Sequence, residues 1–322
     1  MTNRRHIIAA LPALLAAPAL RAQPAFPTRT IRLLVGFAPG GTTDVAARLL
    51  APRLQAALGQ SVVVENRPGA GGNIATEAAV RSPADGHTLL LGTIGGLAVN
   101  PTLYGNLPFD PQNDLTAITR VAMIVNVLAV PSDRPWRSVA EVVTASRANS
   151  LTFGTSGVGG AGHLAGEQFN AIAGVRNTHV PYRGGGPLIA DLITGKMDIA
   201  FTPFSGARPH AESGRVRLLA VTTAARSPLA PELPPMAETP GLTGFDMADW
   251  STLMAPRGLP APIVATLNRA ATAALAEPEV VQALAQRGIQ ATPSSPEDCA
   301  AFIRSEAAKW APVVRASGAT PD

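Results

Sequence analysis

The fold turns on residues 36–50, GFAPGGTTDVAARLL, which are entered from the apolar run IRLLVGF at 31–37. The run reads as a buried strand. Val45, Leu49, Leu50, Leu54 and Leu58 then recur at helical spacing, and Pro52 is expected to kink that helix. Between strand and helix stand Ala38, Pro39, Gly40, Gly41, Thr42, Thr43 and Asp44. Glycine leaves backbone N–H groups open to close approach. A helix start adds oriented, unpaired donors that suit a carboxylate or phosphate. The two threonine hydroxyls can donate as well. The same residues also read as a turn with a helix cap, Thr43 or Asp44 being suitable capping residues. Both roles are compatible. Asp44 would repel an anion unless it caps the helix or meets a donor on the ligand.

The same unit, short apolar strand then glycine-rich loop then amphipathic helix, recurs along the chain. SVVVEN (61–66) leads to RPGAGGN and a helix through ATEAAVR, and HTLLLGT (87–93) leads to IGGLAVNPTLY. This points to an α/β lobe with a largely parallel sheet. The β-branched segment 118–131 can cross to a second lobe. There LTFGTS (151–156), THVPYRG (178–184), MDIAFTP (197–203) and RVRLLAVTT (215–223) repeat the pattern. The proline-rich run 227–244 reads as a long surface connection. The segment from Trp250 to Ala255 reads as a return crossing. A helix from about Ile263 to Gln286, broken near Pro278, and another across Pro296 to Val314 complete the chain. The expected organisation is lobe 1 from 23–125 and 251–322, with lobe 2 from 126–250 inserted. Two crossings make a hinge, and a cleft between the lobes is a favoured ligand site.

The first 22 residues read as a leader. Arg4 and Arg5 precede an apolar stretch from Ile7 to Leu20. It is shorter than the ~20 residues needed to span a bilayer and fits a signal-peptide core. Cleavage after Ala22 leaves Gln23 first, and cleavage after Ala19 is an alternative. Residues 3–8 also resemble a twin-arginine motif, so the route can be Sec or twin-arginine. Losing Arg4, Arg5 and Arg21 with the leader lowers the formal charge from +4 to +1. The basic balance of the whole chain is therefore no argument for a nucleic-acid partner. Aromatics at 4% also argue against base-stacking platforms. The single cysteine, Cys299, precludes an internal disulfide and reads as structural.

Two further motifs invite enzymatic readings. GVGGAG (157–162) has the form of a dinucleotide fingerprint. No ribose-binding acid follows at ~20 residues, so it reads better as a second anion-tolerant loop, with Thr155 and Ser156 as hydroxyl donors and Gly157 and Gly159 as bare backbone. Ser156 with His163 is the alternative, an exported serine hydrolase. It lacks an identified acid and oxyanion site, and the sequence fails the nucleophile-elbow pattern. His163 also reads as a local hydrogen-bonding residue. The histidines show no metal-ligand spacing. No metal or cofactor is expected.

These residues carry a family resemblance. The run PTRTIRLLVGFAPGGTTDVAARLLAPRLQAALGQSVVVENRPGAGGNIATEAAVRSPADGHTLLLGT resembles the exported solute receptors of tripartite tricarboxylate transporters, the TctC or Bug family. So do GHLAGEQF, THVPYRGGGPLIADLITGKMDIAF, VRLLAVTTAARSPLAPELPPMAE and the Trp250 segment before Ala255-Pro256. The resemblance implies a two-lobed Venus-flytrap fold, type II-like, with two crossing strands at the hinge. It implies a small carboxylate held in the cleft by loop amides, hydroxyls and water, and delivery to membrane permease subunits. It implies a periplasmic receptor and not an enzyme, and a monomer is expected. Carried over by motif, the ligand contacts are Phe37, Ala38, Pro39, Gly40, Gly41, Thr42, Thr43 and Asp44, with Thr93 nearby. The second lobe contributes Thr155, Ser156, Gly157, Gly159 and His163, then Tyr182, Arg183, Gly184 and Gly185, and Thr202 at a strand end. Thr202 stands where many relatives have aspartate, which weakens an amino-acid assignment. Gly186 stands where relatives usually carry alanine or another small residue.

Overall fold

The computed structural model describes residues 26–182 and 184–320. The expected leader and Arg183 lie outside the described residues. Two sheets organise the molecule. The first has six strands in the order β11-β4-β10-β3-β1-β2. Its parallel part is β1 (Ile31–Val35), β2 (Val62–Asn66) and β3 (Thr88–Thr93). β10 (Asp249–Pro256) then runs antiparallel between β3 and β4 (Leu115–Ile124), and β11 (Ile289–Ala291) antiparallel beside β4. The second sheet has five strands in the order β7-β6-β8-β5-β9. β6 (Thr152–Thr155), β7 (Thr178–Pro181) and β8 (Ile199–Pro203) are parallel. β5 (Asn126–Pro131) is antiparallel to both β8 and β9 (Val216–Val221). Each sheet is thus parallel where strand–helix units follow one another and antiparallel where the chain crosses between lobes.

Helices cover the sheets: α1 (Thr42–Leu58), α2 (Asn73–Val80), α3 (Asn100–Leu103), α4 (Val139–Ala148), α5 (Ala161–Ala173), α6 (Gly185–Ile193), α7 (Phe204–Glu212), α8 (Ala261–Ala276), α9 (Pro278–Ala285) and α10 (Pro296–Ser317). The face that α1 buries differs from the sequence reading. Leu50 and Leu54 are buried, but Ala46, Ala47 and Ala51 join them, while Val45 and Leu49 are only half-buried. Small residues let the helix approach the sheet closely, and close packing outweighs the bulk of any one side chain.

The crossings are tightly drawn. Only Val125 separates β4 from β5. Its N–H reaches Gly288 O at 3.3 Å, and its carbonyl accepts Phe204 N–H at 2.8 Å, so one residue is tied to both lobes. The return strand begins at Asp249, one residue before the expected position. The proline-rich connection is irregular apart from one short turn at Met236–Glu238. It lies only partly on the surface, where Pro231, Glu232, Glu238 and Pro240 are exposed. Ala230, Met236 and Leu242 are fully buried, as are Phe245 and Met247 just beyond it, so a segment barred from regular structure still supplies core. Each such large apolar side chain contributes about 1.5–3 kcal/mol by leaving water. The core under this connection is continuous with residues of both lobes. It includes Trp250 of β10 and Trp310 of α10, whose indole N–H groups both donate to Glu306 Oε2, at 2.9 and 3.0 Å.

Candidate functional site

Between the lobes lies a cavity of about 530 Å³. Three glycine-capped helices begin at its wall: α1 with Gly41, Thr42 and Thr43, α5 with Gly160, Ala161 and Gly162, and α6 with Gly184 and Gly185. The cap residue of each is glycine (Gly41, Gly160 and Gly184), and no side chain hydrogen-bonds to any of these helix starts. The capping role expected for Thr43 or Asp44 is therefore not taken up. A helix N-terminus carries roughly half a positive charge in its unpaired N–H groups. Three of them on one cavity make a positive field with no cationic side chain among its described lining residues.

In the first loop, Phe37, Gly41, Thr42 and Thr43 line the cavity, whereas Ala38, Pro39, Gly40 and Asp44 do not. Asp44 is 2% exposed and braces the loop from behind. Its Oδ2 accepts the Gly40 N–H and Arg48 Nε, both at 2.9 Å, and its Oδ1 accepts Asn66 Nδ2 at 2.8 Å. Burial alone would raise this carboxyl, but the bonds from Arg48, Gly40 and Asn66 outweigh it and hold it down at about 2. The repulsion that made Asp44 awkward in the sequence is thus absorbed behind the loop.

The second loop contributes Ser156, Gly157, Val158, Gly159, Gly160, Ala161 and Gly162. Gly162 has a packing role too, because a Cβ there would stand 2.5 Å from Phe201 O of β8. Thr155 and His163 lie behind the wall. Thr155 Oγ1 meets His179 Nε2 at 2.6 Å, and His163 Nδ1 accepts the Gly159 N–H at 3.1 Å. The two imidazoles stack at 4.2 Å. Burial pushes His163 down to about 4. It also pushes His179 down to about 3, with help from His163. Both rings are neutral near neutral pH, and their hydrogen bonds serve the loop rather than Ser156. The serine–histidine pairing considered from sequence has no geometric support here.

In the third loop, Gly184 and Gly185 line the cavity, while Tyr182 turns its hydroxyl to Asp191 Oδ2 at 3.0 Å. At the end of β8 the expected residue is displaced by one. Thr202 is 1% exposed on the far face of the sheet, and Phe201 and Pro203 line the cavity instead. Thr93 lines it as expected, beside Ile94 and Gly95.

Sequence reasoning missed the remainder: Ala70 and Gly71, then Asn100, Leu103 and Tyr104, then Asn126 and Asp249. Asn100 Nδ2 bonds Gly71 O at 3.1 Å and Asn73 Oδ1 at 2.8 Å, which fixes that corner. Asn126 and Asp249 sit on the two crossing strands and form the floor. Asn126 had a sequence signal, a polar residue inside an apolar run, whereas Asp249 opens its strand and had none. Among the described lining residues there is no Lys, Arg, His or Glu, and Asp249 is the only carboxylate. Among the described residues, no cluster of three or more His, Cys, Asp or Glu is placed to hold a metal ion. Cys299 is buried in the core, which pushes its thiol up to about 12.

The sequence profile described as "Tripartite tricarboxylate transporter family receptor" matches residues 46–319. A protein encoded between tcbD and tcbE of Pseudomonas sp. strain P51 is 37% identical over 96% of this chain and 93% of its own. BugT of Bordetella pertussis is 37% identical over 91% of each chain. Among solved structures, R. palustris Rpa4515 with adipate is 39% identical, with a TM-score of 0.80 over 91% of this chain and 98% of that one. MatC of Rhodopseudomonas palustris with bound malate is 31% identical, with a TM-score of 0.77 over 90% of this chain and all of that one. A family-wide sequence match, near-complete coverage of relatives and a shared two-lobed fold agree, and the chain belongs to the receptor family of the tripartite tricarboxylate transporters.

Proposed function

We propose that this protein is a periplasmic receptor that captures a small carboxylate in its interlobe cleft and delivers it to the membrane subunits of a tripartite tricarboxylate-type transporter. The observation that carries the reading is the convergence of three glycine-capped helix starts on one cavity free of basic side chains among its described residues. Such a site holds an organic anion through main-chain N–H groups and the hydroxyls of Thr42, Thr43, Thr93 and Ser156. The adipate and malate bound to two similar proteins support the ligand class. The proposed contacts are Phe37, Gly41, Thr42, Thr43, Thr93, Ser156, Gly157, Gly159, Gly184 and Gly185. Asp44, Thr155 and His163 act as braces rather than ligands. Arg183 remains a proposed contact from sequence.

Capture works by closure. The acid replaces water against the loop amides, and the lobes turn about Val125 and the return strand. Only a ligand that favours the closed form drives that motion. Family membership supports the permease as partner. Residues 1–22, read as a leader, support export, and no described helix is long and apolar enough to cross a membrane. A thermal-shift screen of mono-, di- and tricarboxylates and aromatic acids tests the reading. A true ligand at 100 times its Kd stabilises the protein by about 2.7 kcal/mol. If acids leave the melting point unmoved while other solute classes shift it, the ligand class is wrong.

A further inference from the structure

The floor of the cleft carries a group that the carboxylate reading leaves unused. Asp249 opens β10, is half-buried, and lines the cavity beside Asn126 of the other crossing strand. Asn126 is 1% exposed, and its Nδ2 is buried without a hydrogen-bond partner. The positive helix starts of α1, α5 and α6 line the same cavity, so its polarity is uneven: amides and dipole ends on the walls, one carboxyl at the base.

We propose that Asp249 decides what the far end of the bound acid can be: as a carboxylate it requires a hydrogen-bond donor there, and as a carboxylic acid it admits a second carboxylate. The proposal rests on the carboxylate-receptor reading and adds to it a proton. A dicarboxylate meeting ionised Asp249 takes up one proton from solvent, which comes to rest on the Asp249 carboxyl. An ω-amino acid meeting protonated Asp249 releases one, and the ammonium faces the carboxylate.

The surroundings favour such exchange. Burial lifts Asp249 to about 7, partly offset by the Trp250 N–H. No charged neighbour contributes to that shift. Tyr104 is the other titratable side chain among the described lining residues. On β4 the position facing Asp249 is Ile124, and the nearest paired residue of β3, Thr93 opposite Ser251, is also uncharged. The charged groups next along the chain and on α10 are committed elsewhere. Lys309 binds Asp246 at 2.8 Å and Glu306 at 3.3 Å, and Glu306 also holds the two indoles. On α1, Asp44 is paired with Arg48. On α5, His163 is neutral and Glu167 lies 3.7 Å from it.

The test is calorimetric titration with succinate, glutarate and adipate, and with the ω-amino acids of the same carbon counts. It is run at about pH 6 and about pH 8 on the wild type and on Asp249→Asn, whose folding is checked by its melting curve. Because affinity scales with the fraction of protein in the competent protonation state, dicarboxylates that bind should weaken about tenfold from the lower to the higher pH. The amino acids should tighten by about the same factor. Asp249→Asn should flatten both profiles, which separates Asp249 from ionisation of the ligands themselves. Repeating the wild-type titration at the higher pH in buffers of different ionisation enthalpy should show proton uptake with the dicarboxylates. A dicarboxylate affinity that does not change with pH, or profiles identical in wild type and Asp249→Asn, would overturn the proposal. So would failure of every probe to bind. The carboxylate-receptor reading falls only if the wider panel of acids also leaves the melting point unmoved.

Discussion

Three helices that begin at the cleft, α1, α5 and α6, are built differently from α4, α8, α9 and α10. α4 starts at Ser138 with a complete capping box, in which Glu141 reaches back to the cap N–H. α10 starts at Ser295, whose hydroxyl accepts the Asp298 N–H, and has proline in its first turn. α8 and α9 also carry proline there, which removes a donor that would otherwise need a partner. α1, α5 and α6 have glycine at the cap and no side-chain bond. Stability alone would favour Ser, Asp or Asn at such positions by roughly a few tenths of a kcal/mol each. The difference separates helix starts finished by the chain itself from helix starts left for a guest.

Finishing a cleft helix is the strongest way to break the contrast. Gly41 and Gly160 have extended backbone, and a Cβ at either meets nothing closer than 3.6 Å. Gly41→Asp and Gly160→Asp should therefore fold, hold or raise the melting point, and weaken carboxylate binding about a hundredfold, as expected for a like charge a few ångströms from the anion. Unchanged affinity in titration calorimetry would show that these helix starts are not the anion site.

The floor follows the same logic at smaller scale. Asp249 holds its proton longer in the folded protein than in the unfolded chain, so it lowers stability as pH rises through about 7. Ligand-free Asp249→Asn should be more stable than wild type by about 2 kcal/mol near pH 8, allowing for solvent screening in an open cleft. Denaturant titrations should show the gain fading toward about pH 4.

Behind the second loop the sign reverses. His163 and His179 are held neutral, so their contribution is full above about 6.5 and falls as the unfolded chain gains protons below it. His179→Phe should lessen the acid sensitivity of the unfolding midpoint, by about 1–2 kcal/mol near pH 5 relative to wild type. Equal acid sensitivity would mean that His179 is not a buried neutral base. The smallest effect belongs to the finished helices. Ser138→Ala should cost about 1 kcal/mol by chemical denaturation and leave ligand affinity untouched.

What the sequence revealed follows the same division. The glycine loops were legible because strand, loop and helix signals are local, and Gly41, Thr42, Thr43, Ser156, Gly157, Gly159, Gly184 and Gly185 all line the cavity. Polar residues beside those loops were harder to place. Asp44, Thr155 and His163 turn back to support the loop, a choice made by partners distant in sequence such as Asn66 and His179. Thr202 failed by one residue, because a strand alternates faces and its register against β5 sets which face meets the cleft. Asn126, Asp249 and Tyr104 come from segments read as crossings or helix ends, and their facing depends on how two sheets meet.

The shared grip of Glu306 on Trp250 and Trp310 has an optical consequence. Two of the chain's three tryptophans sit on this one carboxylate, and one of them follows Asp249 directly on the return strand. Any turning of the halves that disturbs the bridge changes the charge seen by an indole ring. Whether closure reaches this bridge can be read from the intrinsic fluorescence, without a label.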